Sequence, residues 1–462
     1  MVFQNNVLAG GAGGSGTTTY AIDQSIRFND NDSAYMYRTF GTATDQKTTT
    51  LSLWVKRCTL GTDQRIMVGA TSAYSDSLYF RFNSNDTLEV INGPAAIYLK
   101  TTQIFRDTSA WYHIVFVLDT SNTISSERFR FYVNGQRITD VSAVYPSLNQ
   151  TFKWNGPTGE HTIGTSLPSL GNYLDSYLAE IVFIDGQALD PSSFGEYNSS
   201  NIWVPKDVSG LTFGNNGFHL KGEDSADLGN DSSGNGNDFT VVNLAAHDQV
   251  SDSPTNNFCT YNSIQLQSGA TLSNGNLDAV SSGSSWRNVH STIGVSSGKW
   301  YWEVKADVIN SSQTWIAGIQ ETSFESKANY WWQAGYTASS SGIVFGVLDS
   351  NYKVTNVTRT SFTHDIAQGD IVQFQLNLDD NELSVLVDGV SKGKIYDITA
   401  NTEYTPAVCL YSTSSATINF GQDGTFGGTE TAGGNSDGNG IGNFKYSVPS
   451  GYLALCTSNL GS

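Results

Sequence analysis

Two dipeptides, Asn134-Gly135 and Asp388-Gly389, each end a run of alternating apolar residues, and that pattern leaves the chain few choices besides a β-hairpin. Both central positions of a two-residue hairpin turn need positive φ, which Asn, Asp and Gly tolerate best. Phe129, Phe131 and Val133 share one face of the strand before the first turn. In the second half Val372, Phe374, Leu376 and Leu378 point one way, and Gln373, Gln375, Asn377 and Asp379 the other. Asp379-Asp380-Asn381 then turns the chain into Leu383, Val385 and Val387. The unit of strand, turn, strand and hairpin occurs once per half. It predicts an all-β chain of two antiparallel β-sandwiches in tandem.

The strand from Trp111 to Leu118 is apolar on both faces, which predicts a central strand covered on both sides. Ser52, Trp54 and Lys56 alternate with Leu51, Leu53 and Val55, and Trp300, Trp302 and Val304 form a core stripe. One helix is expected, at Asp190-Pro191-Ser192-Ser193-Phe194, with Asp as N-cap and Pro at the first helical position.

Residues 9–19 are Gly, Ala, Ser and Thr throughout, and Val2, Phe3, Val7 and Leu8 precede them. Residues 1–19 are therefore read as a flexible arm whose apolar tip suits docking on a partner subunit. The first sandwich is expected over 20–245, a linker carrying Pro254 over 246–258, and the second sandwich with a C-terminal extension over 259–462. The Gly/Asn/Asp-rich stretch Gly427 to Gly442 reads as a long surface loop or a locally disordered excursion.

The net charge of −19 argues against a phosphate backbone as partner, because that needs clustered Lys and Arg. It argues equally against anionic lipid. No run of 18 apolar residues exists, so no membrane insertion is expected. The opening Met1-Val2-Phe3-Gln4-Asn5-Asn6 has no basic region and does not read as a signal peptide. Cys58, Cys259, Cys409 and Cys456 are widely spaced and predict neither a disulfide framework nor a metal site.

Several segments together resemble laminin-G/concanavalin-like lectin domains across roughly residues 20–245. They are Leu51 to Arg57, Trp111 to Phe116, Phe131 to Gly135 and Tyr177 to Gly186. Asp231-Ser232-Ser233-Gly234-Asn235-Gly236-Asn237 resembles a loop usually found near the start of such domains, whereas here it comes last, as a permuted order would place it. The second half resembles a SPRY domain through Gly298 to Val304, Ala317-Gly318-Ile319, Gly369 to Val372, Asp388-Gly389-Val390, Tyr404 to Val408 and Ala416 to Gly421. The pairing, with the opening Gln4 to Gly10, is similar to structural proteins of marine tailed phages. The resemblance implies two concanavalin-like, jelly-roll sandwiches in a fibre or decoration protein of the virion. Implied partners are other virion proteins, further copies of the chain (a trimer among the assemblies open to it), and a glycan or protein of the host surface. A purely architectural virion component and a cellular glycan-binding protein are the alternatives.

No catalysis is expected. The concanavalin-like fold also serves β-glucanases, whose E-x-D-x-E pattern sets two carboxyls about 5 Å apart across one glycosidic bond. The chain has no such triplet, and Glu303 and Asp307 are too far apart in register to replace it. Gly294-Val295-Ser296-Ser297-Gly298 fits the esterase G-x-S-x-G pattern, but a strand follows where the nucleophile elbow needs a helix. Gly11 to Gly16 fits G-x-G-x-x-G without the flanking strand and helix. For ligand contact the candidates are Trp331 and Trp332, then Trp286 and Tyr336, because exposed aromatic faces stack on sugar rings. Asp231, Asn235 and Asp238 on a Gly-rich turn admit two readings, a Ca2+ site or an Asx-rich turn that bonds its own backbone.

Overall fold

A computed structural model describes residues 20–70, 77–93, 96–157, 159–322, 344–355 and 358–461. It is 44% strand and 5% helix. The chain divides into two compact units, the first ending at Asn257 and the second running from Phe258.

In the first unit, one sheet runs Gln136–Ile138, Phe129–Val133, Trp111–Asp119, Thr48–Arg57, Ser176–Asp185, Ser25–Phe28, Gln249–Val250. The facing sheet runs Val141–Val144, Tyr98–Ile104, Thr87–Asn92, Leu78–Phe82, Gln64–Ala70, Glu160–Ile163, Tyr35–Thr39, Thr240–Val242. Among the described residues, the strand pairings within each of these sheets are antiparallel. Leu51, Leu53, Val55, Ile114, Phe116, Phe129 and Phe131 meet Phe80, Phe82, Val90 and Leu99 in the core between the sheets. The last strands of the unit lie beside the first in both sheets, Gln249–Val250 on Ser25–Phe28 and Thr240–Val242 on Tyr35–Thr39. That closeness of ends is the geometry a permuted strand order requires.

The second unit repeats the plan. One sheet runs Ala270–Ser273, Asp278–Ser281, Ser415–Asn419, Lys299–Val308, Ile371–Asn377, Glu382–Val387, Val390–Asp397. The other runs Trp286–His290, Tyr404–Tyr411, Trp315–Glu321, Val344–Leu348, Tyr352–Thr355, Thr358–Ser361. Trp300, Trp302, Val304, Val372, Phe374 and Leu376 fill the core as their alternation predicts. Both hairpin turns are as read: φ is 48° and 77° at Asn134 and Gly135, and 47° and 77° at Asp388 and Gly389.

Two expectations fail, each for a physical reason. Pro191–Ser193 forms a single 3-10 turn, because the Asp190 side chain makes no capping bond and Gly195 already begins a strand. The segment 246–258 is no linker: Gln249–Val250 adds a strand to the sheet, and Asp252 is buried against Lys56. Pro254 misled the sequence reading, since the segment's order comes from buried polar contacts rather than from apolar periodicity. Of the two readings of the Gly427 to Gly442 stretch, the structure takes the loop. Asp437 accepts backbone N–H groups from Asn439 and Ile441 on one oxygen and from Ala454 on the other.

The C-terminal extension covers the outer face of the Lys299–Val308 strand through Glu303. Its carboxylate accepts bonds from Tyr301 Oη, Asn419 Nδ2 and the backbone N–H groups of Lys445 and Tyr446, at 2.8–3.2 Å. Burial pushes the carboxyl up from its ordinary value, and the Lys445 and Tyr446 donors offset only part of that rise. Glu303→Ala leaves those donors buried and unsatisfied, at about 1–3 kcal/mol each. The expected outcome is a lowered melting temperature with early proteolysis between residues 421 and 461. Cleavage that begins elsewhere at an unchanged melting temperature would contradict it.

Candidate functional site

The richest polar cluster lies on the outer face of the first unit's sheet, where Ser52, Trp54 and Lys56 alternate out of the core. Residues 187–213 cover part of this face over Val115, Val117, Val182 and Ile184. Within that cover the Gly195–Tyr197 and Trp203–Pro205 strands pair and carry Trp203 over His113. The fit is tight. A Cβ on Gly135 or Gly195 would come within 2.5 or 2.6 Å of the Trp203 ring.

Trp203 Nε1 donates to His113 Nδ1 at 3.0 Å, and His113 Nε2 lies 2.9 Å from Ser52 Oγ. An indole N–H can only donate, so Nδ1 is the acceptor and the imidazole proton sits on Nε2, aimed at the serine oxygen. A nucleophilic serine needs the opposite arrangement, with a ring nitrogen free to take its proton. Complete burial also pushes the imidazole down to about 3, so it stays neutral. Ser52 and His113 are close in space, yet the arrangement does not activate the serine.

Glu180 lies beside them, on a bulge where the register slips between Ala179 and Val182 and φ is +50°. Its Oε2 is 2.6 Å from His219 Nε2, and its Oε1 accepts from Tyr20 Oη at 3.1 Å. The cleft between these groups is lined by Ser52, Trp54, Glu180, Val182, Phe194, Pro205, Lys206 and Val208, and holds only about 10 Å³. That is room for about one water. Glu180 is the single carboxylate among its lining residues. A paired-carboxyl glycosidase site therefore does not form here, and no sugar ring fits.

The Asp231 loop takes the self-bonded form. Asp231 Oδ1 accepts from the backbone N–H groups of His219 and Ser233, and Oδ2 from Ser233 Oγ and the N–H of Asn237, at 2.7–2.9 Å. Asp238 Oδ1 accepts the Asp231 N–H, and Asn235 Nδ2 donates to the carbonyls of Gly214 and Gly217. About four lone-pair sites serve a carboxylate, and all four on Asp231 are occupied. Asp231 is thus committed to the turn, as the Asx-rich reading has it. Among the described residues no group of three or more His, Cys, Asp or Glu could hold a metal ion. A shallow groove of about 600 Å³ runs beside the loop, lined by Leu211 to Asn215, Ser233 and Asn235.

Of the aromatic candidates, Trp286 is half-buried at the start of an edge strand. It packs on Tyr411 at 5.5 Å and against Ile316, Leu348, Val354, Ala407 and Cys409. Trp331, Trp332 and Tyr336 lie outside the described residues. Gly294 to Gly298 leads into the Lys299–Val308 strand, as the turn reading requires. Neither the pairing of Glu180 with His219 nor that of Lys56 with Asp252 and Asn257 leaves a mark in the sequence. These partners are 39, 196 and 201 residues apart.

With that geometry in place, the comparisons with known proteins match one stretch in each unit. Residues 28–192 match the laminin-G branch of the Concanavalin A-like lectin/glucanases superfamily, and residues 299–423 match the SPRY domain family. The chain is a laminin-G-type domain followed by a SPRY domain. Similar solved structures include the SPRY domain of human HERC1, at 17% identity over 34% of this chain and 96% of that one, with a TM-score of 0.28. The TRIM65 PSpry domain is 16% identical over 35% and 91%, also at 0.28. Stonustoxin is 20% identical over 35% of this chain and 27% of its own, at 0.27. No curated protein matches the chain. The laminin-G-type and SPRY domains are folds of the binding and adhesion kind.

One buried carboxyl in the laminin-G-type unit makes stability depend on pH. Asp175 is fully buried, and burial pushes it from 3.8 up to about 7 although Thr59 Oγ1 donates to it at 2.5 Å. Its Oδ1 has no hydrogen-bond partner. Between about pH 4 and 7 the folded chain holds a proton here that the unfolded chain has lost, so this group's contribution to stability falls as pH rises through that window. His113 and His161, pushed down to about 3 and about 4, act in the opposite sense below about 6.5. The difference between Asp175→Asn and wild type isolates the carboxyl. The variant is expected to gain melting temperature over wild type at pH 8 and to lose most of that gain by pH 5. A gain independent of pH would refute the assignment.

Proposed function

We propose that the chain is a non-catalytic adhesion protein of a tailed-phage particle, a fibre or decoration subunit that presents its two sandwiches to the host cell surface. The observation that carries this reading is the tandem itself, two binding-type domains joined with no processive or catalytic machinery in the richest polar site. The Ser52–His113 pair supports it, because its tautomer leaves the serine without a base. The acidic balance supports it too, since a charge of −19 favours neutral or cationic surface groups over phosphate. The opening Gln4 to Gly10 with this pairing of domains is the combination that resembles virion proteins.

Many copies on one particle relax the demand on each contact. A millimolar site contributes only about 4 kcal/mol, yet several engaged together hold a particle. The test uses antibody fragments raised against the full chain. They are expected to label purified particles and to block adsorption to host cells, while the chain releases no sugar from host glycans. Labelling without blocking would favour the purely architectural reading, and absence from the particle would refute the proposal.

A further inference from the structure

Lys56 projects from the outer face of the Thr48–Arg57 strand and is buried beside an apolar cluster. Ile22, Trp54, Cys58, Trp111, Tyr177 and Val250 form that cluster, and the Lys56 Nζ lies 5.7 Å from the centre of the Tyr177 ring. Lys56 is 1% exposed and Asp252 0%. Nζ is 2.7 Å from Asp252 Oδ2 and also 2.7 Å from Asn257 Oδ1. Trp111 Nε1 holds the other Asp252 oxygen at 3.0 Å. Asn257 Nδ2 donates to the Ser109 carbonyl at 2.7 Å, which turns the amide so that its carbonyl faces the lysine. The electrophilic Asn257 Cγ is therefore one covalent bond beyond the atom that Nζ already touches.

We propose that this triad forms an intramolecular isopeptide bond between Lys56 and Asn257, with Asp252 as the proton carrier. The chemistry needs a lysine amine, a carboxamide and a carboxylate held together away from water, and those three groups converge here. Lysine amines act as nucleophiles when desolvated in apolar pockets. Fixing the reactants in contact supplies much of what a bimolecular reaction lacks. Asp252 takes a proton from the Lys56 ammonium, and the freed Nζ lone pair attacks Asn257 Cγ. Asp252 then passes a proton to Nδ2 and receives one from Nζ as the Cγ–Nδ2 bond breaks. The products are the Nζ–Cγ amide, one ammonia and a protonated Asp252. One C–N bond forms and one breaks, with nothing oxidised or reduced.

The bond joins positions 201 residues apart, at the last residue of the first unit. A pull applied to the chain beyond Asn257 then passes into the central Thr48–Arg57 strand. The roughly 700 Å of contour between the two residues, at about 3.5 Å each, is shielded from extension.

The test is intact mass spectrometry of the purified full chain under denaturing, reducing conditions, followed by peptide mapping. The expected result is a mass below that of the sequence by one ammonia, and a proteolytic fragment joining Lys56 to Asn257. In unfolded protein Lys56 should also resist acylation. The full sequence mass in protein shown to be folded would overturn the proposal. So would loss of one water with the bond mapped to Asp252. Asp252→Asn keeps both reacting groups and is expected to abolish the mass loss. Should that variant fail to fold, Asn257→Asp separates the cases, because it is expected to lose one water in place of ammonia. A variant Asn257→Asp that folds and keeps its full mass would overturn the proposal as well.

Discussion

A polar side chain on the middle strand of a sheet can be covered only if the cover brings it a partner. Both units depend on that constraint. Lys56 stands on the outer face of the Thr48–Arg57 strand, and the segment that covers it supplies Asp252 and Asn257. Glu303 stands on the outer face of the Lys299–Val308 strand, and its cover supplies the Lys445 and Tyr446 N–H groups. In each unit the covering piece is the C-terminal segment. Breaking a buried pair by removing one partner typically costs about 3–5 kcal/mol, far more than the pair itself contributes against an apolar replacement. These contacts therefore set where the last segment docks more than they raise stability.

The cores were legible in the sequence because burial between two sheets imposes a period of two. Trp300, Trp302 and Val304, or Phe129, Phe131 and Val133, announce their face without reference to any distant residue. The hairpins were legible because positive φ at Asn134-Gly135 and Asp388-Gly389 is a local demand. The outer faces were not. Ser52, Trp54 and Lys56 read as a mixed, half-solvated face. What buries them, at residues 187–213 and 245–257, is polar, Gly- and Pro-bearing chain that reads as loop. A covering segment ordered by side-chain-to-backbone bonds carries no periodic signal, so residues 246–258 read as a linker.

The same limit explains the candidate sites. The Asp231 loop has the composition of a cation site and of a self-bonded turn, and composition cannot separate them. The outcome depends on whether backbone donors point inward. The N–H groups of His219, Ser233 and Asn237 do, and they take lone pairs of Asp231 that a cation would need. At Ser52 and His113 the deciding atom is the Trp203 indole N–H, 90 residues from the histidine. It converts a pair that looks nucleophilic by residue type into a structural hydrogen-bond chain. Proximity of a serine and a histidine is thus insufficient evidence for catalysis until the ring's other nitrogen is accounted for.

Lys56 and His113 show how one sheet face can carry two different fates for reactive residue types. The His113 ring is held between two partners that fix its proton, and no electrophile lies beside it. Lys56 is held between a carboxylate that can take its proton and a carboxamide that can accept its lone pair. Both residues are buried in the same unit and on the same face, so burial alone does not distinguish them. The difference lies in what the covering segment presents. An indole N–H from Trp203 quenches the histidine, whereas Asp252 and Asn257 complete a reactive set around the lysine. The segments that cover the sheet are for that reason the ones that determine its chemistry.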